Sequence, residues 1–183
     1  MHVGETRIRT GAVVAIAVTA GLVTWLALRS TVGSSAAPAV QPAPASTAAT
    51  QGVLTAAGLR AAVRALGQPV YWAGERPADR YELTVASGRV YVRYLPAGAR
   101  SGDTRPRYLV VATYPLAGAL GSLRQLANGH GVPLPGGGLA LVSAGYPQSW
   151  HLAFPGVDYE VEVYDPSAAV AKRVALTSVR AVR

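Results

Sequence analysis

The chain predicts an α+β domain: a twisted, mostly antiparallel sheet of six or seven strands with helices on one face, preceded by one N-terminal transmembrane helix. Three observations carry this. Residues 11–28, GAVVAIAVTAGLVTWLAL, hold no charge. Residues 81–95 and 150–164 each alternate apolar and polar side chains with period two about a turn. Around them, apolar residues recur at helical spacing.

The uncharged stretch comes first. A bilayer core about 30 Å thick takes about 20 apolar residues of helix. Eighteen residues from Gly11 to Leu28 rise roughly 27 Å at about 1.5 Å each, short but sufficient. Trp25, near the far end, suits the headgroup region. Arg7 and Arg9 precede the span and only Arg29 closely follows it, so the tail 1–10 is placed in the cytoplasm and the rest outside. The competing reading is a cleaved signal peptide. Ser34-Ser35-Ala36 offers a small-residue cleavage site, but a signal peptide's apolar region spans only about 7 to 15 residues. Residues 29–52 are rich in Ala, Pro, Ser and Thr and carry almost no large apolar side chain. They read as a disordered tether, leaving 53–183 as the extracytoplasmic domain.

Within that domain, Thr55 is placed to cap a helix over 56–66, which Gly67 stops and Pro69 keeps from resuming. A short strand follows at 70–72. In YELTVASGRVYVRYL, a two-residue turn at Ser87-Gly88 pairs Val85 with Val90, Leu83 with Val92 and Tyr81 with Tyr94. The opposite face then pairs Glu82 with Arg93 and Thr84 with Tyr91, as exposed surface. The polar loop 96–107 leads to YLVVATY, an apolar run expected of a strand covered on both faces. A helix over 117–127 and a strand over 139–143 come next. The second hairpin turns at Pro155-Gly156-Val157-Asp158 and pairs Leu152 with Val161 and Trp150 with Val163. Asp165 is expected to cap a last helix with Pro166 at its first position, and 178–182 to add an edge strand.

Composition narrows the functional classes. There are no cysteines, which excludes thiol chemistry and Cys-bound zinc. From Val53 onward, fourteen Lys and Arg face eight Asp and Glu. That excess could favour an anionic wall polymer or headgroups, but ordinary solubility is the preferred account of it. Nucleic acid is not expected outside the cell. His151 is read as facing outward beside Glu162, an ordinary cross-strand surface pair. His130 lies in a GHG loop, and neither histidine sits in a metal-binding spacing, so no metal or cofactor is expected. The run Gly136-Gly137-Gly138 lacks the Lys-Ser/Thr of a phosphate loop. Asp158, Glu160, Glu162 and Asp165 concentrate four acids; Glu160 and Glu162 read as neutralised by arginine-bearing strands, the alternative being a surface for a cation or cationic partner. Tyr71, Trp72, Tyr91 and Tyr146 are candidates for exposure; with Arg93 and His151 they make up the candidate binding surface.

The stretches Val70-Tyr71-Trp72-Ala73-Gly74, Tyr81-Glu82-Leu83-Thr84 and VYVRYLP over 90–96 resemble uncharacterised single-pass envelope proteins of high-GC Gram-positive-type bacteria. Thr113-Tyr114-Pro115 and VEVYDP over 161–166 fit the same resemblance. It implies an anchored extracytoplasmic domain and transfers no catalytic residue. The expected function is therefore a non-enzymatic, membrane-anchored domain that binds an envelope protein or wall component. The alternatives are an envelope hydrolase or metal-dependent enzyme using His151 or His130, and a structural subunit of a membrane complex.

Overall fold

A computed structural model describes residues 49–103 and 105–183. The tail, the predicted span 11–28 and most of the predicted tether lie outside the described residues. Among the described residues no helix is long and apolar enough to cross a membrane.

The strands are β1 (Ala49–Leu54), β2 (Tyr71–Trp72), β3 (Arg80–Ala86), β4 (Arg89–Leu95), β5 (Val110–Pro115), β6 (Val132–Pro133), β7 (Leu139–Ser143), β8 (Tyr146–Ala153), β9 (Tyr159–Tyr164) and β10 (Arg180–Ala181). The helices are α1 (Ala56–Leu66), α2 (Ala119–Ala127) and α3 (Ala168–Thr177). Eight strands form one antiparallel sheet in the order β1-β3-β4-β5-β9-β8-β7-β6, and β10 pairs with β2 in a separate ribbon.

The first hairpin has the register that its alternation demands. Val85 pairs with Val90, Leu83 with Val92, Tyr81 with Tyr94, Glu82 with Arg93 and Thr84 with Tyr91. Ser87 and Gly88 both take positive φ, as a tight turn matched to strand twist requires. In the second hairpin, Trp150 pairs with Val163 and Leu152 with Val161. Its β8 arm starts at Tyr146, earlier than the alternation indicated.

Helix α1 begins at Thr55, whose hydroxyl accepts from the Gly58 N–H at 3.1 Å, and ends at left-handed Gly67. The cap of α3 differs from expectation. Ser167 caps it, while Asp165 sits two residues earlier and accepts from the Ser167 N–H at 2.9 Å. The Asp165-Pro166 pair thus shapes the turn ahead of the helix rather than its first position.

Three features depart from the sequence reading. The main sheet has eight strands rather than six or seven. Strand β1 begins at Ala49, inside the stretch read as tether, and pairs with β3. Backbone pairing at an open sheet edge recruits such a segment without needing large apolar side chains. Finally, helices cover both faces rather than one. Residues of α1 and α3, including Leu59, Val63 and Val174, join Leu83, Val92, Val111, Leu152 and Val161 in the main core. On the opposite face, Ala119 and Leu123 of α2 pack on Ala153, with Leu120, Leu139 and Leu141 around them. Ala153 follows the outward alternation of His151, register sets Leu139 and Leu141 on the same side, and α2 removes that apolar strip from water.

Candidate functional site

The side chains with the richest chemistry lie on the face that α2 covers. Cross-strand register sets Tyr91, Ala112, Glu162, His151 and Leu141 opposite one another on β4, β5, β9, β8 and β7. Tyr114, Glu160 and Ala153 form the next row. The outward, solvated placement expected for His151 and the two glutamates does not hold: His151 is 4 % exposed, Glu160 3 % and Glu162 5 %. The polar alternation is real, but a helix and neighbouring side chains lie over it.

Buried polar groups need partners, and here they have them. His151 Nδ1 meets Glu160 Oε1 at 2.8 Å, and its Nε2 meets Ser143 Oγ at 2.8 Å. Glu162 accepts from the Tyr114 hydroxyl at 2.7 Å and from the Ser149 hydroxyl at 2.6 Å. Burial pushes the His151 imidazole towards neutrality. The Glu160 hydrogen bond and charge, helped by Glu162, outweigh that and hold its pKa above 6.5. With the proton on, the imidazolium donates to both neighbours and balances one of two buried carboxylates. With it off, Nδ1 still donates to Glu160, and the Ser143 hydroxyl donates to Nε2.

Elsewhere on this face, Glu82 is 1 % exposed, so its expected surface pair with Arg93 is a buried one. Arg93 Nη1 reaches Glu82 at 2.6 Å and the Asp103 carbonyl at 2.8 Å. The Ser101 hydroxyl and Gly102 N–H also donate to Glu82, so the 96–107 loop folds back over the carboxylate.

The expected binding residues do not form one surface. Tyr71 and Trp72 are buried in the main core rather than exposed. Tyr71 stacks on Phe154 at 5.2 Å, and the Thr113 hydroxyl accepts from its backbone N–H. Burial holds the Tyr71 phenol above its usual range. Tyr91 is half-buried edge-on to Tyr114, and Arg93 is engaged by Glu82. Tyr146 alone matches its predicted exposure, at 60 %. His130 is exposed after α2 and contributes no side chain to the His151 network. Among the described residues no group of three or more His, Asp or Glu is arranged to hold a metal ion.

A second cluster lies where β2, β10 and α1 meet. The Arg60 guanidinium stands 5.0 Å and that of Arg180 6.0 Å from the Trp72 ring centre, and Arg76 lies 5.2 Å from that of Tyr94. Tyr81 joins these rings, 5.8 Å from Trp72 and 5.2 Å from Tyr94. The Tyr94 hydroxyl accepts from the Ala73 N–H at 2.7 Å and donates to the Gly74 carbonyl at 3.0 Å. Burial keeps that phenol protonated far above its ordinary pKa, against the opposing Ala73 N–H and the charges of Arg76 and Arg180. Gly74 suits this place: a side chain there would meet the Arg180 guanidinium, and its φ of +79° favours glycine. Sequence reasoning singled out Trp72 in this cluster but none of its arginines, nor Ser143 in the network. The arginines come from residues 60, 76 and 180, and the β2–β10 pairing brings Arg180 beside Trp72.

The chain matches no family model, and neither a curated protein nor a solved structure matches it.

Proposed function

We propose that this chain is a membrane-anchored, extracytoplasmic domain that binds an envelope component and is not itself an enzyme. The observation that supports it best is how the two clusters are used. His151, Glu160 and Glu162 spend their polar atoms on one another and on Ser143, Ser149 and Tyr114 inside the sheet. Exposed Arg180, by contrast, lies over an aromatic floor. Arginine on aromatic rings is a surface suited to recognition. The uncharged stretch 11–28 and its arginine flanks supply the anchor and its direction.

The test is the mass of the mature protein in isolated membranes, combined with protease shaving of intact cells. Full-length protein whose domain is cut from outside supports the reading. A mature chain starting near Ala37 in the medium overturns the anchor, and a domain cut only after lysis overturns the orientation.

One observation favours a second reading. Ser143, His151 and Glu160 are joined in the order of a serine hydrolase's nucleophile, base and orienting acid, and Ser143 is only half-buried. In that reading Ser143 Oγ attacks an ester carbonyl, His151 takes its proton and returns it to the leaving alcohol, and water releases the acyl group. A fluorophosphonate probe separates the readings. Labelling of Ser143 that is lost in His151→Gln supports the hydrolase, and no labelling of Ser143 removes it.

A further inference from the structure

Arg60, Arg76 and Arg180 gather from three separate elements around two linked aromatic rings. Such crowding of like charge is unfavourable unless something opposes it. Part of the opposition is internal: Glu75 accepts from Arg60 at 3.0 Å, and the charge of Asp79 is felt at the neighbouring Tyr81 hydroxyl. Among the described residues, neither Arg76 nor Arg180 has a carboxylate within ion-pair distance. Their guanidiniums are nonetheless located, one over Tyr94 and the other between Trp72 and the bare backbone of Gly74. Cations so held lose less freedom on meeting an anion than side chains free in water.

We propose that Arg60, Arg76 and Arg180 form a binding site for a phosphate group, floored by Trp72 and Tyr94. A carboxylate has two oxygens and satisfies one guanidinium fork. A phosphate ester offers more acceptor oxygens and more charge, which suits more than one guanidinium. This deepens the reading of the domain as a binding module and rests on it for its biological setting only. Shaving of cells tests placement and phosphate binding by purified protein tests the site, so either can fail while the other stands.

The experiment is equilibrium dialysis of the full-length protein against inorganic phosphate, in a neutral, phosphate-free detergent. Saturable binding is expected, weakened about tenfold or more by Arg180→Gln and by Arg76→Gln. Arg180→Lys keeps the charge without the fork and should fall between. Arg173→Gln, on the exposed side of α3, should bind like the parent. Thermal melts of each variant confirm the fold. No saturable binding overturns the proposal, as does an equal loss in Arg173→Gln. Repeating the dialysis in phosphatidylglycerol nanodiscs identifies the source. Loss of phosphate binding there, with the Arg180→Gln difference abolished, assigns the site to a lipid headgroup; unchanged binding assigns it to a soluble phosphate ester.

Discussion

On one face of the eight-stranded sheet, Leu83, Val92, Val111, Leu152 and Val161 pack beneath α1 and α3 with no polar partner to find. On the other, His151, Glu160, Glu162, Glu82 and Ser149 are buried almost as deeply, each through specific hydrogen bonds. The first face tolerates any close-packed apolar arrangement of the right volume. The second is conditional: desolvated carboxylates are stable only while their donors remain in place. Equal burial therefore implies very different sensitivity to substitution.

Removing one member of the polar face should be the harsher change. Glu160→Ala leaves His151 buried without its acid and should cost about 3–5 kcal/mol in urea unfolding. Replacing His151 and Glu160 together by leucines should recover much of that. If Glu160→Ala costs under about 1 kcal/mol, the face is solvated and the contrast collapses. On the apolar face, Leu152→Ala should cost about 2–5 kcal/mol, the value depending on how far the core closes over the cavity.

The smallest effect is with pH. Burial lowers the His151 pKa, while Glu160 and then Glu162 raise it to a net value above 6.5. A raised folded-state pKa means that His151 adds stability below about pH 6.5, lost as pH rises through the folded-state value. The stability curve should therefore decline there, no more steeply than about 1.4 kcal/mol per pH unit for one proton. His151→Gln should remove this slope. A parent curve that is flat, or that rises with pH over this range, would sink the idea that Glu160 holds a proton on His151.

The apolar face was legible because alternation and turn chemistry agreed. With Ser87-Gly88 as the turn, a one-residue slip would have turned Leu83 and Val92 outward, so the register had one sensible solution. The polar face was not legible because alternation records which residues share a side, not what lies over them. His151 and Glu162 look the same in sequence whether water or a helix covers them. A cue was present in Ala153, an apolar residue on the supposed outer face of the second hairpin; the β7 register adds Leu139 and Leu141 beside it, and that strip requires a cover such as α2. The arginine corner left no local trace, since its members come from α1, the segment after β2 and β10, and Arg180 reaches it only because β10 pairs with β2 outside the main sheet.

Strand β1 has a mechanical consequence. Strand β1, from Ala49, is the outermost strand at one end of the sheet. A pull applied at Ala49 itself loads the β1–β3 ladder directly. That ladder is short and irregular between Gln51 and Leu54, and each of its hydrogen bonds is worth only about 0.5–1.5 kcal/mol net. Under such a load the β1–β3 ladder is expected to peel before the packed core opens. Peeling also bares the outer edge of β3, which can then pair with an extended segment of another protein. The strand that ends the sheet thus also covers the edge of β3.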